Sequence, residues 1–535
     1  MKRVVISCGP IPARLDSVKF ITNKFKGGLA FKTAKALVNE DEFNVTIIIW
    51  DGTPVPDWCD DKVNVVKIKD VYDYYNWICN NAEQYDAFIM AAAVANLAPV
   101  KPWEGKFPSH NYSVGEEFDI KFTIAPRAID AVKKHNKRAC LIGYKLFDGT
   151  EEELIDAAKI TQKESKATII FANHPATAKE KKLAITSDGT IIPCSFDEHI
   201  GMIINAIKNH YYSTKIVEVN TEDPHIREAL AVVKMYENTF KEIGYGTVAV
   251  PIENYPGWFA TTSRGHAGDP VVVCEVDNTS RTVYASGKAT LNAPTLAVML
   301  KYNEGSIIVH RHYGDPNLDD NKYLESVKLD YTFPGTIEEV HAITECCKNG
   351  HTDAISNPHG VLFAYPITAP DWNLYREQFP ARYFSCPDEI TEAIKNAGPN
   401  TLEIGANKKS EAKYVYDKYV NCSGAINLTE DEVFEHEYDL VYAKNAVNYL
   451  KLDFLRKILT VTDHFIANTF LVAPNEKITE NEAVITDNHN IVHHNLRLKN
   501  DALIRHQFYA YSEDDYQSLG LLIKPYRKNS AIIFK

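Results

Sequence analysis

The sequence predicts an α/β protein of three domains. Its 535 residues exceed the roughly 250 to 300 that a single hydrophobic core supports. At both ends of the chain, short β-branched runs alternate with helical stretches, which is the pattern of parallel sheets joined by helices. Between them the pattern changes to one long helix followed by short strands. We therefore expect parallel-sheet domains over residues 1–212 and 386–535, on either side of a third α/β domain over residues 224–370.

The composition indicates a folded protein that works on small molecules. A hydrophobic fraction of 45% and a charged fraction of 24% are those of an ordinary globular chain. The net charge of −13, without a long Lys/Arg run, argues against nucleic acid as a partner. No stretch approaches the roughly 18 consecutive apolar residues of a membrane span, and the first apolar run is shorter than that of a signal peptide. The ten cysteines form no CxxC pair, so we expect reduced core thiols and a cytoplasmic location.

Glycines in the first domain mark a possible anion site. Gly9 follows the first predicted strand, at the carboxyl edge where open α/β sheets bind ligands. Gly27 and Gly28 follow Asn23 and open a predicted helix, whose free N–H groups and positive dipole end attract anions. On these residues alone a simple turn remains the alternative to a phosphate site.

Four segments of the first domain together resemble phosphopantothenoylcysteine synthetase over about residues 1–210: GPIPARLDSVKFITN, the Gly-Gly helix start, AAAVANLAP and IIFAN. That family uses CTP, or ATP in some members, to activate the phosphopantothenate carboxylate as an acyl nucleotidylate, which the amine of cysteine then attacks. The resemblance implies that Asn23 holds the acyl intermediate and that Lys106 meets the triphosphate. The nucleotide contacts it implies are Ala92, Ala93, Val94, Ala95, Asn96 and, at the base, Tyr144.

Two acidic positions of that family are absent here. Asn96 stands where the family has the Asp of its VAD segment, and His174 stands where it has the Asp of its AND segment. Loss of these carboxylates removes charges that could order a metal ion or a ribose hydroxyl. A nucleotide-fold scaffold without catalysis therefore remains an alternative.

Three histidines in the middle domain have the spacing of metal ligands. His310 and His312 are two residues apart at the end of a predicted strand, so their side chains point to one face. His359 precedes a glycine at another predicted strand edge. Three neutral imidazoles with an open fourth position are typical of catalytic Zn²⁺. We therefore predict a divalent metal site, with zinc as the expected ion.

The same region resembles the class II aldolase and adducin family over about residues 224–370. The resemblance implies an α/β/α domain in which the three histidines bind metal and in which Thr262, Ser263 and Gly265 lie near a substrate phosphate. The acid/base Glu of that family is missing, because residues 292–294 are Asn-Ala-Pro. The resemblance to adducin implies that this fold can persist without enzymatic activity.

The last region, residues 386–535, resembles an S-adenosylmethionine methyltransferase in TLEIGAN and YDLVYAKNAVNYL. Gly405 is the one glycine left of the usual glycine-rich loop, and Lys408 and Lys409 occupy positions where the backbone should approach the cofactor. We predict a Rossmann-like domain that binds S-adenosylmethionine weakly or not at all.

Two functions of different classes fit these observations. One is a multidomain enzyme with a CTP- or ATP-dependent ligase-like domain and a metal-dependent aldolase-like, lyase-type domain acting on small phosphorylated metabolites. The other is a non-catalytic binding or assembly protein built from enzyme folds whose sites have eroded. In either case we expect a homo-oligomer without membrane or nucleic-acid partners.

Overall fold

A computed structural model describes residues 1–59, 63–178, 180–243, 246–313, 315, 327–368, 386–406, 410–417, 421–444, 446–470, 482–486, 491–498, 501–509, 511–527 and 530–535. It contains three large sheets with helices on their faces, which confirms the predicted α/β class. Within the described residues, no helix is long and apolar enough to cross a membrane.

The first sheet is mainly parallel. Its strands and the short strands beside it are β1 (Lys2–Ser7), β2 (Pro10–Ile11), β3 (Ala13–Arg14), β4 (Phe20–Ile21), β5 (Phe43–Trp50), β6 (Val63–Ile68), β7 (Ala87–Met90), β8 (Ala93–Val94), β9 (Leu97–Pro99), β10 (Phe122–Ile124), β11 (Cys140–Leu146), β12 (Ile169–Asn173), β13 (Lys181–Thr186) and β14 (Ile191–Ser195). The helices are α1 (Gly28–Val38), α2 (Val71–Asn81), α3 (Ala128–His135), α4 (Glu151–Ser165) and α5 (Phe196–Lys208).

The order of these strands defines a doubly wound sheet. The sheet runs β14-β13-β12-β11-β7-β1-β5-β6, and its six strands from β12 to β6 are parallel. Numbered along the chain, the parallel strands have the order 3-2-1-4-5-6, which places the topological switch point between β1 and β7. Ligands of such sheets bind outside the carboxyl ends of the strands at this point.

Burial and capping explain why these segments fold as they do. Val4, Val5 and Ile6 of β1 are completely buried, as expected for a central strand covered by helices on both faces. Helix α4 begins with a capping box in which Thr150 and Glu153 satisfy each other's backbone N–H groups.

The second sheet is mainly antiparallel and forms the middle layer of an α/β/α domain. Its strands are β15 (Ser213–Ile216), β16 (Thr247–Pro251), β17 (Phe259–Thr261), β18 (Val271–Asp277), β19 (Thr282–Ala285), β20 (Ser306–His312), β21 (Val327–Lys328), β22 (Ala354–Asn357) and β23 (Gly360–Thr368). Helix α6 (Pro224–Ile243) packs on one face, and α7 (Ala293–Tyr302) and α8 (Ile337–Lys348) pack on the other.

The last region forms a third sheet and also extends the second. Its elements are α9 (Asp388–Asn396), β24 (Thr401–Ile404), β25 (Tyr414–Tyr416), β26 (Ile426–Asn427), β27 (Leu440–Ala443), α10 (Leu452–Ile458), β28 (Phe465–Phe470), β29 (Glu482–Thr486), β30 (Ile491–Arg497), β31 (Leu503–Tyr509), α11 (Glu513–Ser518), β32 (Leu522–Arg527) and β33 (Ser530–Phe534). The third sheet has the order β26-β25-β24-β27-β28-β33-β32. Strands β29 to β31 instead join the middle sheet, through parallel pairing of β31 with β23.

A buried network joins the first domain to the middle domain. The carboxylate of Glu338 in α8 lies 2.8 Å from Nε2 of His210 and 3.3 Å from Nζ of Lys133, and it accepts a hydrogen bond from Thr168. Burial alone would raise the pKa of Glu338, but His210 and Lys133 hold that pKa well below its usual range. Because Thr168 immediately precedes β12, the middle domain contacts the amino ends of the parallel strands and leaves their carboxyl edge uncovered by this contact.

Candidate functional sites

The segments after β1 and β7 meet at the switch point of the first sheet. Strand β2 follows β1 and pairs in parallel with β8, which follows β7. The N–H of Ala93 donates to the carbonyl of Gly9 at 3.0 Å, and the N–H of Ala95 donates to Ile11 at 2.9 Å. The structure therefore brings the predicted Gly9 turn beside the predicted nucleotide segment Ala92, Ala93, Val94, Ala95 and Asn96.

The glycine pair at the start of α1 lies against the same turn. Gly9 and Gly27 have positive φ angles of 75° and 79°, a conformation that glycine adopts without the strain of a Cβ. A Cβ placed on Gly27 would lie 2.4 Å from the backbone nitrogen of Gly9. Gly28 begins α1 with open space around it. The N-cap residue, Gly27, has no side chain that could cap the helix. The N-terminus of α1 is thus available to an anion at the switch point.

Asn23 reaches this edge through its side chain. Its Nδ2 donates to the carbonyl of Ala93 at 3.1 Å. The predicted intermediate-holding residue and the predicted nucleotide segment are therefore in direct contact.

Lys106 is exposed on a loop that is anchored to the segment between β3 and β4. The N–H of Phe107 donates to Oδ2 of Asp16 at 3.0 Å, and the N–H of Ser17 donates to the carbonyl of Gly105 at 3.0 Å. Asp16 is completely buried, and its hydrogen bond with Lys19 contributes most to lowering its pKa. An ionised Asp16 therefore fixes the loop while Lys106 stays in solvent.

Tyr144 lies at the carboxyl end of β11 and bonds to a histidine that the sequence did not indicate. Its hydroxyl lies 2.9 Å from Nε2 of His199 in α5, and Nδ1 of His199 lies 2.7 Å from the carbonyl of Phe196. Burial lowers the pKa of His199 to about 4, so this ring is neutral. The neutral ring donates to Phe196 through Nδ1 and accepts from Tyr144 through Nε2. No motif marks His199, because it stands alone on the inner face of a helix.

A buried lysine near the end of β12 was also missed. Nζ of Lys182 donates to Oδ1 of Asn173 at 2.8 Å and to the carbonyl of Ala178 at 2.6 Å. Lys182 is 2% exposed, and burial lowers its pKa. The predicted Asn173 segment is therefore hydrogen-bonded to Lys182. Lys182 and His174 both line a small cavity there.

The three predicted metal ligands converge. His310 and His312 end β20, and His359 lies in the turn before β23. Their ring centroids are 4.8 to 4.9 Å apart, and one candidate ligand atom from each ring lies within 4.8 Å of the others. The Nε2 atoms of His310 and His359 are 3.1 Å apart.

The protonation of these rings suits metal binding. Nδ1 of His310 lies 3.1 Å from the carbonyl of Val361, so a neutral His310 donates there and directs the lone pair of Nε2 toward His359. Burial, followed by the neighbouring imidazoles, holds the pKa of His310 well below its usual range. Burial also lowers the pKa of His359 to about 4 and lowers that of His312. Three neutral imidazoles facing one another fit a divalent transition metal.

The predicted phosphate loop lies beside the start of α7. Oγ1 of Thr262 is 2.8 Å from Oγ1 of Thr247, the register partner of His310, and the N–H of Thr290 donates to the carbonyl of Thr262. Oγ of Ser263 donates to the carbonyl of Gly268 at 2.7 Å, and Gly265 has a positive φ. The loop is thus folded back on its own backbone.

The start of α7 carries no carboxylate, as the sequence shows, but a buried carboxyl group lies in α8. Asn292 occupies the N-cap position of α7, and its Oδ1 is buried without a hydrogen-bond partner among the described residues. Glu339 of α8 is completely buried, and Nδ2 of Asn357 lies 3.3 Å from its Oε1. Burial raises the pKa of Glu339 to about 8. Sequence patterns missed Glu339 because an acidic residue in the first turn of a helix is ordinary.

The third sheet has its own switch point, between β24 and β27. Gly405 follows β24 with a φ of 70°, and a Cβ placed there would lie 2.2 Å from Cβ of Ala446, which follows β27. Lys408 and Lys409 lie outside the described residues, so their effect on the loop remains a prediction.

Comparisons with known proteins concern mainly the first domain. Residues 1–200 match the family model described as DNA/pantothenate metabolism flavoprotein C-terminal domain. The coenzyme A biosynthesis bifunctional protein CoaBC of Thermococcus kodakarensis is 27% identical over 176 residues, which are 32% of this chain and 41% of that protein. The protein of the same name from Vibrio vulnificus is 30% identical over 134 residues, 24% of this chain and 31% of its own length. The chain thus matches less than half the length of either relative.

Solved structures were similar over parts of the chain. The DNA/pantothenate metabolism flavoprotein of Streptococcus pneumoniae has 20% identity and a TM-score of 0.35, covering 39% of this chain and 99% of that one. YgbL of Klebsiella pneumoniae, a putative aldolase/epimerase/decarboxylase by its published description, has 14% identity and a TM-score of 0.20, covering 26% of this chain and 77% of that one. The similarity to this family is thus confined to the N-terminal 200 residues of the chain.

Proposed function

We propose that the N-terminal domain binds CTP or ATP at the switch point between β1 and β7 and uses it to activate the carboxylate of a small phosphorylated metabolite. The observation that carries this proposal is the meeting of the Gly9 turn, the start of α1, the segment 92–96 and Asn23 at one sheet edge. The CoaBC relatives act in coenzyme A biosynthesis, and their similarity supports a ligase reaction.

In the proposed reaction a carboxylate oxygen of the substrate attacks the α-phosphorus of the nucleotide. The bond from that phosphorus to the bridging oxygen breaks, and pyrophosphate leaves. An amine then attacks the acyl carbon of the resulting acyl nucleotidylate, and the nucleoside monophosphate leaves with the bonding electrons. The amine loses its extra proton to solvent, which leaves an amide.

The residues of this chain have separate tasks in that scheme. The N-terminus of α1 stabilises phosphate charge through its unpaired N–H groups and dipole. The amide of Asn23 holds the acyl intermediate next to the backbone of Ala93. Lys106 meets the triphosphate from the loop that Asp16 anchors.

Pyrophosphate release tests this function directly. Full-length protein is incubated with CTP or ATP, phosphopantothenate and cysteine, and released pyrophosphate is measured. We expect release that depends on the carboxylate substrate and falls at least about 100-fold in N23A, because a donor that acts on the reacting group is lost. The variant N76A, at an exposed position of α2, is the matched control. Activity in N23A equal to that of the wild type would contradict the role of Asn23.

A second function is favoured by the histidine cluster. We propose that His310, His312 and His359 hold a divalent transition metal, with zinc expected, in a lyase-like site for a phosphorylated metabolite. When bound, such an ion would polarise a substrate carbonyl as a Lewis acid. The chain's own contribution is to keep the three rings neutral by burial and to orient His310 through Val361.

Metal analysis of purified full-length protein tests the second function. One equivalent of metal per chain is expected, and none in the H310A/H312A variant. Failure of the wild type to take up zinc or cobalt when either ion is supplied would contradict it and would favour a non-catalytic binding or assembly role for this domain.

A further inference from the structure

Among the residues that the structure describes, no cationic side chain pairs with the buried carboxyl group of Glu339. It lies in the first turn of α8, where Oγ1 of Thr336 caps its backbone N–H. One carboxyl oxygen, Oε1, lies 3.3 Å from Nδ2 of Asn357. The other, Oε2, is buried without a hydrogen-bond partner among the described residues. Burial of a carboxyl group costs free energy, so a function is expected to maintain it.

Asn357 connects this carboxyl group to a metal ligand. It ends β22, two residues before His359, and its Oδ1 accepts the backbone N–H of His359 at 3.2 Å. The carbonyl of His359 accepts the N–H of Tyr313 at 3.1 Å. Hydrogen bonds therefore run from the carboxyl group of Glu339 through the amide of Asn357 to the backbone of His359.

The turn that carries His359 is also pressed against the strand of the other two ligands. A Cβ placed on Gly360 would lie 2.1 Å from the carbonyl oxygen of Arg311 and 2.8 Å from Cε1 of His310. A small displacement of this turn would therefore change the spacing of the three rings. Restraint of the turn by Asn357 is directly relevant to ligand geometry.

The segment that leads into α8 also lies near the start of α7, where the sequence lacks an acidic residue. A Cβ placed on Gly335 would lie 3.2 Å from the carbonyl oxygen of Leu291, which immediately precedes Asn292. Gly335 directly precedes Thr336, the N-cap of α8, so the start of α8 lies against the segment that leads into α7.

We propose that Glu339 is a positioning residue of the metal site, which holds the His359 turn through Asn357. The proposal rests on the proposed metal function of His310, His312 and His359. It adds two residues, Glu339 and Asn357, that hold a metal ligand in place without binding the metal. The expected effect of Glu339 is to keep His359 in a fixed orientation. Glu339 itself does not touch the metal.

Cobalt binding by the full-length chain tests the proposal. E339Q keeps an acceptor oxygen for Asn357 and is expected to bind Co²⁺ like the wild type. E339A and N357A break the chain of hydrogen bonds and are expected to raise the Kd roughly 10- to 100-fold, with a changed visible spectrum of the bound ion. E345A, at an exposed position of the same helix, is the control. If E339A destabilises the fold, E339L removes the acceptor without leaving a large cavity. A wild-type Kd in folded E339A or E339L would overturn the proposal.

A second measurement separates this proposal from the metal function itself. In metal-free protein labelled at histidine, the ring resonances of His359, assigned with H359Q, are expected to shift in E339L and to stay in place in E339Q. Absence of Co²⁺ and Zn²⁺ binding in the wild type would refute the metal function. Unchanged His359 resonances in E339L would refute the positioning role whether or not metal binds.

Discussion

Replacement of Gly27 by alanine is expected to damage the proposed nucleotide site, whereas replacement of Gly28 is not. Gly27 has a φ of 79°, and a Cβ there would lie 2.4 Å from the nitrogen and 2.6 Å from the Cα of Gly9. At Gly28 a Cβ meets nothing within 4 Å. The two adjacent glycines therefore form a matched pair that differs in backbone conformation and in available space.

The expected magnitude follows from these two effects. A left-handed conformation costs an ordinary residue about 1 to 2 kcal/mol. Contact with a backbone that cannot rotate away adds the cost of overpacking, typically about 1 to 3 kcal/mol. For G27A we expect the free energy of unfolding of the first domain to fall by roughly 2 to 5 kcal/mol, because the Gly9 turn and the start of α1 must separate. Alanine in place of Gly28 is expected to be neutral or slightly stabilising.

Calorimetry measures both consequences in the full-length protein. Scanning calorimetry follows unfolding, and titration with CTP or ATP follows binding. G27A is expected to weaken nucleotide binding at least about tenfold, which corresponds to about 1.4 kcal/mol, whereas G28A is expected to bind like the wild type. Equal binding by G27A and G28A would refute the assignment of the Gly9 and Gly27 contact to the nucleotide site.

Further variants test the other parts of the account. In H310A/H312A, metal content is expected to disappear while nucleotide titration is unchanged, because the two sites lie in separate cores. Burial raises the pKa of Glu339 from 4.5 to about 8, so the native state keeps a proton that the unfolded chain loses and stability falls as the pH rises between these values. E339Q should remove that decline of stability with pH in melting experiments. An unchanged decline in E339Q would contradict its assignment to Glu339. E338A leaves Lys133 and His210 buried without their carboxylate and should lower the free energy of unfolding by about 3 to 5 kcal/mol in denaturant titrations.

The first sheet and the glycine turn at its carboxyl edge could be predicted because both depend on local patterns. Buried β-branched runs define the parallel strands, and a glycine turn after the first strand indicates a ligand edge. The convergence of His310, His312 and His359 was also predictable, since an HxH pair places two rings on one face and an HG turn can supply a third.

Contacts between distant segments could not be predicted from local patterns. Strand β31 pairs with β23 across more than one hundred residues, which brings part of the predicted third domain into the middle sheet. His493 of β30 is buried, with Nδ1 2.7 Å from Oε2 of Glu228 in the distant helix α6. The link from Glu339 to His359 likewise depends on how α8 packs against β22, which periodicity does not reveal.

Titration of the full-length protein with CTP and with ATP tests the central claim most directly. The account predicts saturable binding of at least one of these nucleotides, at one site per chain and below millimolar concentration, that is weakened in G27A and kept in G28A. Absence of binding to either nucleotide at millimolar concentration, by protein whose first domain is folded, would contradict a nucleotide site between β1 and β7.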